Sequence, residues 1–229
     1  MERITTVILA AGKGTRMKSD LVKVLHPILG LPMLSYPIEL SLKGIKSGKT
    51  IVVVGYQADQ IKERFKDPQI QFALQEEQLG TGHAVLQAVP FLKGATGTVL
   101  ILCGDVPLVK AETLHSFINA YGKSNATLSV LTTKMEDPFG YGRILRSPEG
   151  WIEKIVEEKD ASKEEKSIRE INTGIYCAEN PFLFEAVGEI GNDNAAAVAI
   201  RFHVAQHGYL AHMDFHLGSG LAGLNDIGN

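Results

Sequence analysis

The chain is expected to fold as a three-layer α/β domain, a mixed but mostly parallel sheet between helices, carrying a smaller antiparallel lobe. Three observations lead to this class. Short β-branched runs alternate with longer segments of mixed polarity through the first half, which is the pattern of parallel strands joined by helical crossovers. Beyond about Lys123 the alternation gives way to strand-like runs separated by short turns. The composition, 229 residues with 45% hydrophobic and 21% charged, supplies apolar material for one large core or two modest lobes and excludes disordered and fibrous classes.

Taken in order, the expected strands of the first half are TTVILA, TIVVVG, IQFAL and TVLILCGD. Helices are expected from Met33 to Leu42, Gln57 to Phe65 and Gly82 to Leu92, with a kink at Pro37 unless that residue falls in the opening turn. In the second half ATLSVLTTK and INTGIYCAE read as strands, and YGRILRSPEGWIEKIVEEKD reads as a hairpin around the SPEG turn. The run EEKDASKEEKSIRE is polar or charged at nearly every position, so after Glu157 it is expected to be a solvated, mobile excursion.

A net charge of −3 gives no bulk attraction to nucleic acid or to an anionic membrane, so any phosphate ligand must be held locally. The two cysteines, Cys103 and Cys177, sit in apolar runs and are expected to be buried free thiols in a reducing cytoplasm. The opening MERITTVILAAG is too short in its apolar run to span a bilayer and lacks the basic region and longer core of an export signal, so it reads as the first strand.

The first strand runs straight into AAGKGTRM. Gly12 and Gly14 are followed by Met17 where a dinucleotide fingerprint needs its third glycine, and no G-x-x-x-x-G-K-[ST] string occurs. What is present is a loop of small residues whose backbone amides can approach an anion, with Lys13, Arg16 and Lys23 able to close around it. A bare G-x-G is also what an ordinary strand-to-helix turn with solvent-facing cations shows, so the loop alone decides nothing.

It is followed, in order, by LVKVLHPILGLPML, EEQLGTGHA, CGDVPL, GYGRI, VEEKDA, EINTGIY and GNDNA. Together these resemble the sugar-nucleotide pyrophosphorylases, and among them the uridyltransferase half of the bifunctional enzymes that make UDP-N-acetylglucosamine. The resemblance covers residues 4 to 195. It implies a Rossmann-like fold of the nucleotide-diphospho-sugar transferase type, a single domain over 1–229 in which about 1–123 binds the nucleotide and about 124–229 forms the sugar-binding lobe and closing segment. It also implies magnesium as cofactor and UTP and N-acetylglucosamine 1-phosphate as substrates; with the net charge of −3, no nucleic-acid or membrane partner is expected.

The resemblance assigns residues as well. The nucleotide is expected on Leu9, Ala10, Ala11, Gly12, Gly14, Gly104, Gln75, Gly80 and Thr81; an amide side chain beside backbone groups can match the mixed donors and acceptors of a uracil edge. Asp105, after a parallel strand, and Asn225, in the closing GLND, are implied as magnesium ligands, with Asn225 also touching substrate. Gly142, Glu157 and Asn172 are implied on the sugar side. Arg16, Lys23 and Lys13 are expected to supply positive charge to a direct displacement at the α-phosphorus of UTP, which needs no protein nucleophile. A related pyrophosphorylase with another sugar or nucleotide, and a catalytically inactive nucleotide-sugar-binding domain, are the alternatives.

After GNDNA the chain departs from the family, which continues with a glutamine-glycine-glutamate-tyrosine segment. Here the sequence reads AAVAIRFHVAQHGYLAHMDFHLGSGLAGLNDIGN. His203, His207, His212 and His216 include two pairs four apart, but HVAQH lacks the glutamate of H-E-x-x-H, so a zinc site is not expected. The family's β-helix acetyltransferase half, which assembles trimers, is not expected in a chain of this length.

Overall fold

A computed structural model describes residues 3–14, 17–94, 96–124 and 126–180. Strand β1 (Ile4–Ala10) leads through a 3₁₀ turn (Lys23–Leu25) and the small hairpin β2 (Pro27–Ile28) and β3 (Leu31–Pro32) into α1 (Ser35–Glu39). Then come β4 (Lys49–Val54), α2 (Ala58–Arg64), β5 (Ile70–Leu74), α3 (Thr81–Leu92), β6 (Thr98–Cys103) and α4 (Ala111–Lys123). Next follow β7 (Leu128–Lys134), β8 (Arg143–Arg146), β9 (Ile152–Val156), α5 (Lys163–Lys166) and β10 (Glu170–Glu179).

The main sheet runs β5-β4-β1-β6-β10-β8-β9, with β7 also paired to β10. Strands β5, β4, β1 and β6 are mutually parallel, and β10 is antiparallel to both β6 and β7. Side chains alternate across the sheet with period two. Ile8, Val52, Val54, Leu100 and Leu102 pack with Leu34 just before α1 and with Ile38, Ile61, Leu114 and Phe117 of the helical layer α1, α2 and α4. Val7, Ile51, Val53, Val99 and Ile101 face Ala84, Val85, Ala88 and Leu92 of α3 on the other side. Burial on both faces explains why these strands are almost continuously apolar.

Handedness explains the layering. The chain steps outward from β1 to β4 to β5, placing α1 and α2 on one face, then crosses back over β4 and β1 to reach β6. A right-handed crossover in the reverse direction puts α3 on the opposite face. The reversal at β1 and β6 opens a crevice at the carboxyl ends of the strands, the usual ligand position in open α/β sheets.

The expected strands are present, although β6 stops at Cys103 and leaves Asp105 in the following turn. Pro37 lies in the opening turn of α1, which continues as a π-type turn (Leu40–Ile45), so the proline breaks nothing. Helix α4 was not among the expected helices, despite Leu114, Phe117 and Tyr121 at helical spacing on its buried face. The antiparallel strands of the second half belong to the main sheet through β10. The polar run expected to be mobile instead carries α5, fixed by a capping box: the Ser162 hydroxyl accepts from Glu165 N while the Glu165 carboxylate accepts from Ser162 N.

Candidate active site

The crevice is a cleft of about 460 Å³, bounded by the end of β1 and its loop, Lys23 and Val24, the segment from Gln75 to Ala84, and Cys103 and Asp105. A volume of this order suits a nucleotide-sized ligand. Leu9, Ala10, Ala11, Gly12, Gly14, Lys23, Gln75, Gly80, Thr81 and Asp105 all line it. Gly104 holds the floor: its N–H donates to Leu9 O at 2.8 Å. A Cβ at Gly104 would lie 3.0 Å from that same oxygen and 3.1 Å from Ala10 Cβ, so glycine lets the end of β1 and the turn after β6 approach without either giving way. Lys13 is exposed on the glycine loop.

Two features fix Lys23. Gly14 has φ +64°, and a Cβ on it would lie 2.5 Å from Lys23 Cβ, so glycine is required both for the turn and for the close approach of the lysine. Gln57, at φ +55° before α2, accepts from Val22 N at 2.8 Å and donates to Asp20 O at 2.6 Å. It thereby ties the segment that carries Lys23 to the end of β4. From that segment Lys23 Nζ reaches Asp105 Oδ2 at 2.6 Å.

Gln75 is 3% exposed. Its N–H donates to Val54 O at 2.7 Å, continuing the sheet ladder beyond β5, and its side-chain Nε2 donates to Gly80 O at 3.2 Å. Gln78, unnoticed in the sequence, lines the cleft beside it and donates to Gln75 O.

Gly142, Glu157 and Asn172 come together at β8, β9 and β10. Asn172 N donates to Gly142 O at 2.9 Å, and a Cβ on Gly142 would sit 3.2 Å from Glu157 Oε1. The pairing of β10 with β7 shifts register between Asn172 and Tyr176. In this bulge Asn172 Oδ1 accepts from Gly174 N at 2.9 Å and its Nδ2 donates to Tyr176 Oη at 2.8 Å, which fixes the amide. Burial pushes the Tyr176 phenol above its usual range, opposed by the Asn172 hydrogen bond and reinforced by Cys103 and Glu157. Gly174, at φ +74°, packs so closely on Cys103 that a Cβ would lie 2.7 Å from its Sγ. Cys103 lines the cleft, so the bulge that carries Asn172 abuts the cleft lining.

The same region is braced by Arg143, which is 2% exposed and donates to Glu158 Oε2 at 2.7 Å and to Tyr141 O. Glu158 also accepts from Gly140 N. The Arg143 hydrogen bond, above all, holds the Glu158 carboxyl below its ordinary range. Neither residue stood out in the sequence, where Arg143 reads only as the basic member of GYGRI.

Among the described residues no three His, Cys, Asp or Glu side chains gather into a cage for a metal. Asp105 offers a single carboxylate, about a third exposed, at the mouth of the cleft. That donor set fits magnesium, which takes one or two carboxylates together with substrate phosphates and water, and does not fit zinc. Arg16, Asn225, the GNDNA segment and the four histidines of the tail lie outside the described residues.

Over residues 6–173 the chain matches the family model described as the MobA-like NTP transferase domain. It is 59% identical over 196 residues to the bifunctional protein GlmU of Geobacter metallireducens, covering 85% of this chain and 41% of that protein. It is 55% identical over 196 residues to the GlmU of Pelobacter propionicus, covering 85% of this chain and 42% of that protein. The chain therefore spans about two fifths of the length of these curated relatives. Among solved structures, HddC from Yersinia pseudotuberculosis superposes with a TM-score of 0.62 at 24% identity, over 81% of this chain and 80% of that one. That likeness speaks for the fold.

Proposed function

Since the chain belongs to the MobA-like NTP transferase domain family, we propose that it transfers UMP from UTP to N-acetylglucosamine 1-phosphate, giving UDP-N-acetylglucosamine and pyrophosphate. The observation that carries this reading is the lining of the cleft, which brings the buried Gln75 amide, Gly80 and Thr81 together with the glycine loop and the Lys23–Asp105 pair. Asn172, Gly142 and Glu157 gather in a second group, joined to the cleft lining through the contact of Gly174 with Cys103. The first group suits a base and a triphosphate, the second a sugar. The lobe of about 1–123 takes the nucleotide and the remainder takes the sugar.

A phosphate oxygen of the sugar phosphate attacks the α-phosphorus of UTP; one P–O bond forms, and the bond to pyrophosphate breaks. The attacking oxygen is already anionic at neutral pH, so the chain has to align two polyanions and offset their repulsion. Backbone amides of the Gly12–Gly14 loop and the cations Lys13, Arg16 and Lys23 act on the phosphates. Gln75, its Nε2 committed to Gly80 O, presents its carbonyl oxygen to the uracil N–H. Asp105, with Asn225, would hold magnesium, which when bound neutralises phosphate charge. Asn172 and Glu157 meet the sugar hydroxyl and amide groups, with Gly142 leaving room for the ring. The free thiols Cys103 and Cys177 suit a reducing cytoplasm.

Pyrophosphate release from UTP with a panel of sugar 1-phosphates tests the assignment. N-acetylglucosamine 1-phosphate is expected to be turned over fastest. Faster reaction of dTTP with glucose 1-phosphate would replace it with another pyrophosphorylase specificity.

A further inference from the structure

Next to Gln75 lies a second hollow of about 330 Å³ lined by Leu74, Glu76, Glu77, His83 and Gln87. His83, the third residue of α3, is half-buried and does not line the cleft itself. Its Nδ1 lies 3.0 Å from Gln75 Nε2, the nitrogen that also donates to Gly80 O at 3.2 Å. A primary amide nitrogen carries two hydrogens, and the geometry gives one to each acceptor. Nδ1 is then unprotonated and the ring hydrogen sits on Nε2, 3.1 Å from Gln87 Nε2, a nitrogen that also donates to His83 O at 3.3 Å. A neutral ring accepts from only one of the two amides; Gln75 makes the shorter contacts, so Gln87 turns its oxygen to the ring hydrogen and gives up its bond to His83 O.

We propose that His83 is a positioning residue for base selection. By accepting from Gln75 Nε2 together with Gly80 O, it locks the Gln75 amide with its oxygen toward the cleft. The site then accepts a base that offers an N–H donor there, as uracil does, and rejects one that offers an unprotonated ring nitrogen, as cytosine does. The inference rests on the reading of Gln75 as the base contact. Gly80 O alone is one long neutral hydrogen bond, of the strength that leaves an amide free to turn over. With the ring hydrogen held on Nε2, Nδ1 is a second acceptor, and reversal of the amide would set its oxygen against both Gly80 O and Nδ1. The ionisable groups that share the hollow with the ring are Glu76 and Glu77, both exposed.

Calorimetric binding of UTP and CTP, with magnesium, to the full chain and to H83F and H83N tests the proposal. Phenylalanine keeps the ring but removes the acceptor, whereas the Asn Oδ1 takes the place of Nδ1. The wild-type protein is expected to prefer UTP by at least about tenfold, H83F to lose about tenfold of that preference, and H83N to keep it within about threefold. A folded H83F with the wild-type ratio overturns the role of His83 while leaving Gln75 as the base contact. A wild-type protein that does not distinguish UTP from CTP removes the Gln75 reading, and the proposal with it. Should H83F fail to fold, the ¹⁵N spectrum of the wild-type imidazole decides: the hydrogen on Nε2 supports the proposal, and the hydrogen on Nδ1 overturns it.

Discussion

Lys23 Nζ and Asp105 Oδ2 stand 2.6 Å apart, bridging the loop after β1 to the turn after β6 across the mouth of the cleft. Each side chain is more than a third exposed, so the pair adds little to stability. Its significance lies in position: it holds one cation and one hard oxygen donor where the proposed reaction brings phosphates together.

Replacing Asp105 with Asn removes that charge without changing shape. The variant is expected to fold like the wild type, with a melting temperature within a few degrees, while turnover falls by about a hundredfold or more. Thermal melting and steady-state pyrophosphate release check both halves; a wild-type rate would move the metal away from Asp105.

Gly14→Ala acts on the other partner. Its backbone would be held at φ +64°, and its methyl group would meet Lys23 Cβ at 2.5 Å. The left-handed conformation costs about 1–2 kcal/mol for a residue with a Cβ, and the overlap displaces Lys23. Lower thermal stability, a raised KM for UTP and at least about tenfold slower turnover are expected. Unchanged kinetics would show that Lys23 can move without consequence.

The effect of Gly142→Ala should fall on the other substrate. Its methyl group would lie 3.1 Å from Ile155 Cγ2 and 3.2 Å from Glu157 Oε1, displacing the carboxylate. KM for N-acetylglucosamine 1-phosphate is expected to rise at least about tenfold, with UTP affinity unchanged by calorimetry. A rise shared equally by both substrates would contradict the separate sugar group.

Cys103 lines the cleft yet is expected to be inert. Burial, with the Asp105 carboxylate adding to it and Lys23 opposing, pushes the thiol up to about 12 from an ordinary 9.0. At pH 8 iodoacetamide should modify it at least about a hundredfold more slowly than an exposed cysteine. The unfolded chain ionises its thiols first, so stability is full below about pH 9 and declines toward pH 12, with Cys177, raised by burial, acting in the same direction. Urea midpoints between pH 8 and 11 measure the decline; a midpoint that rose with pH would contradict it.

Much of this was legible in the sequence because local patterns carry it. The strands announce themselves by β-branched runs bounded by turns, and G-K-G after β1 marks the loop that lines the cleft. Long-range pairing is what the sequence withheld. Nothing local says that β10 bends at Asn172–Tyr176 and pairs with β6, β7 and β8, which is how strands from the second half come to sit in the main sheet. Gln57 reaches back to Val22, and Arg143 finds Glu158 across a hairpin; such partnerships leave no periodic trace. Helix α4 was readable from Leu114, Phe117 and Tyr121. In the polar run, Ser162 and Glu165 stand at the S-x-x-E spacing of the capping box that starts α5.

A crystal of the protein soaked with UTP and magnesium examines the proposed nucleotide site itself. The expected result is uracil against Gln75 and Gly80, the triphosphate along the Gly12–Gly14 loop beside Lys23, and the ion on Asp105. Nucleotide bound elsewhere on the molecule, with this cleft left empty, would contradict it.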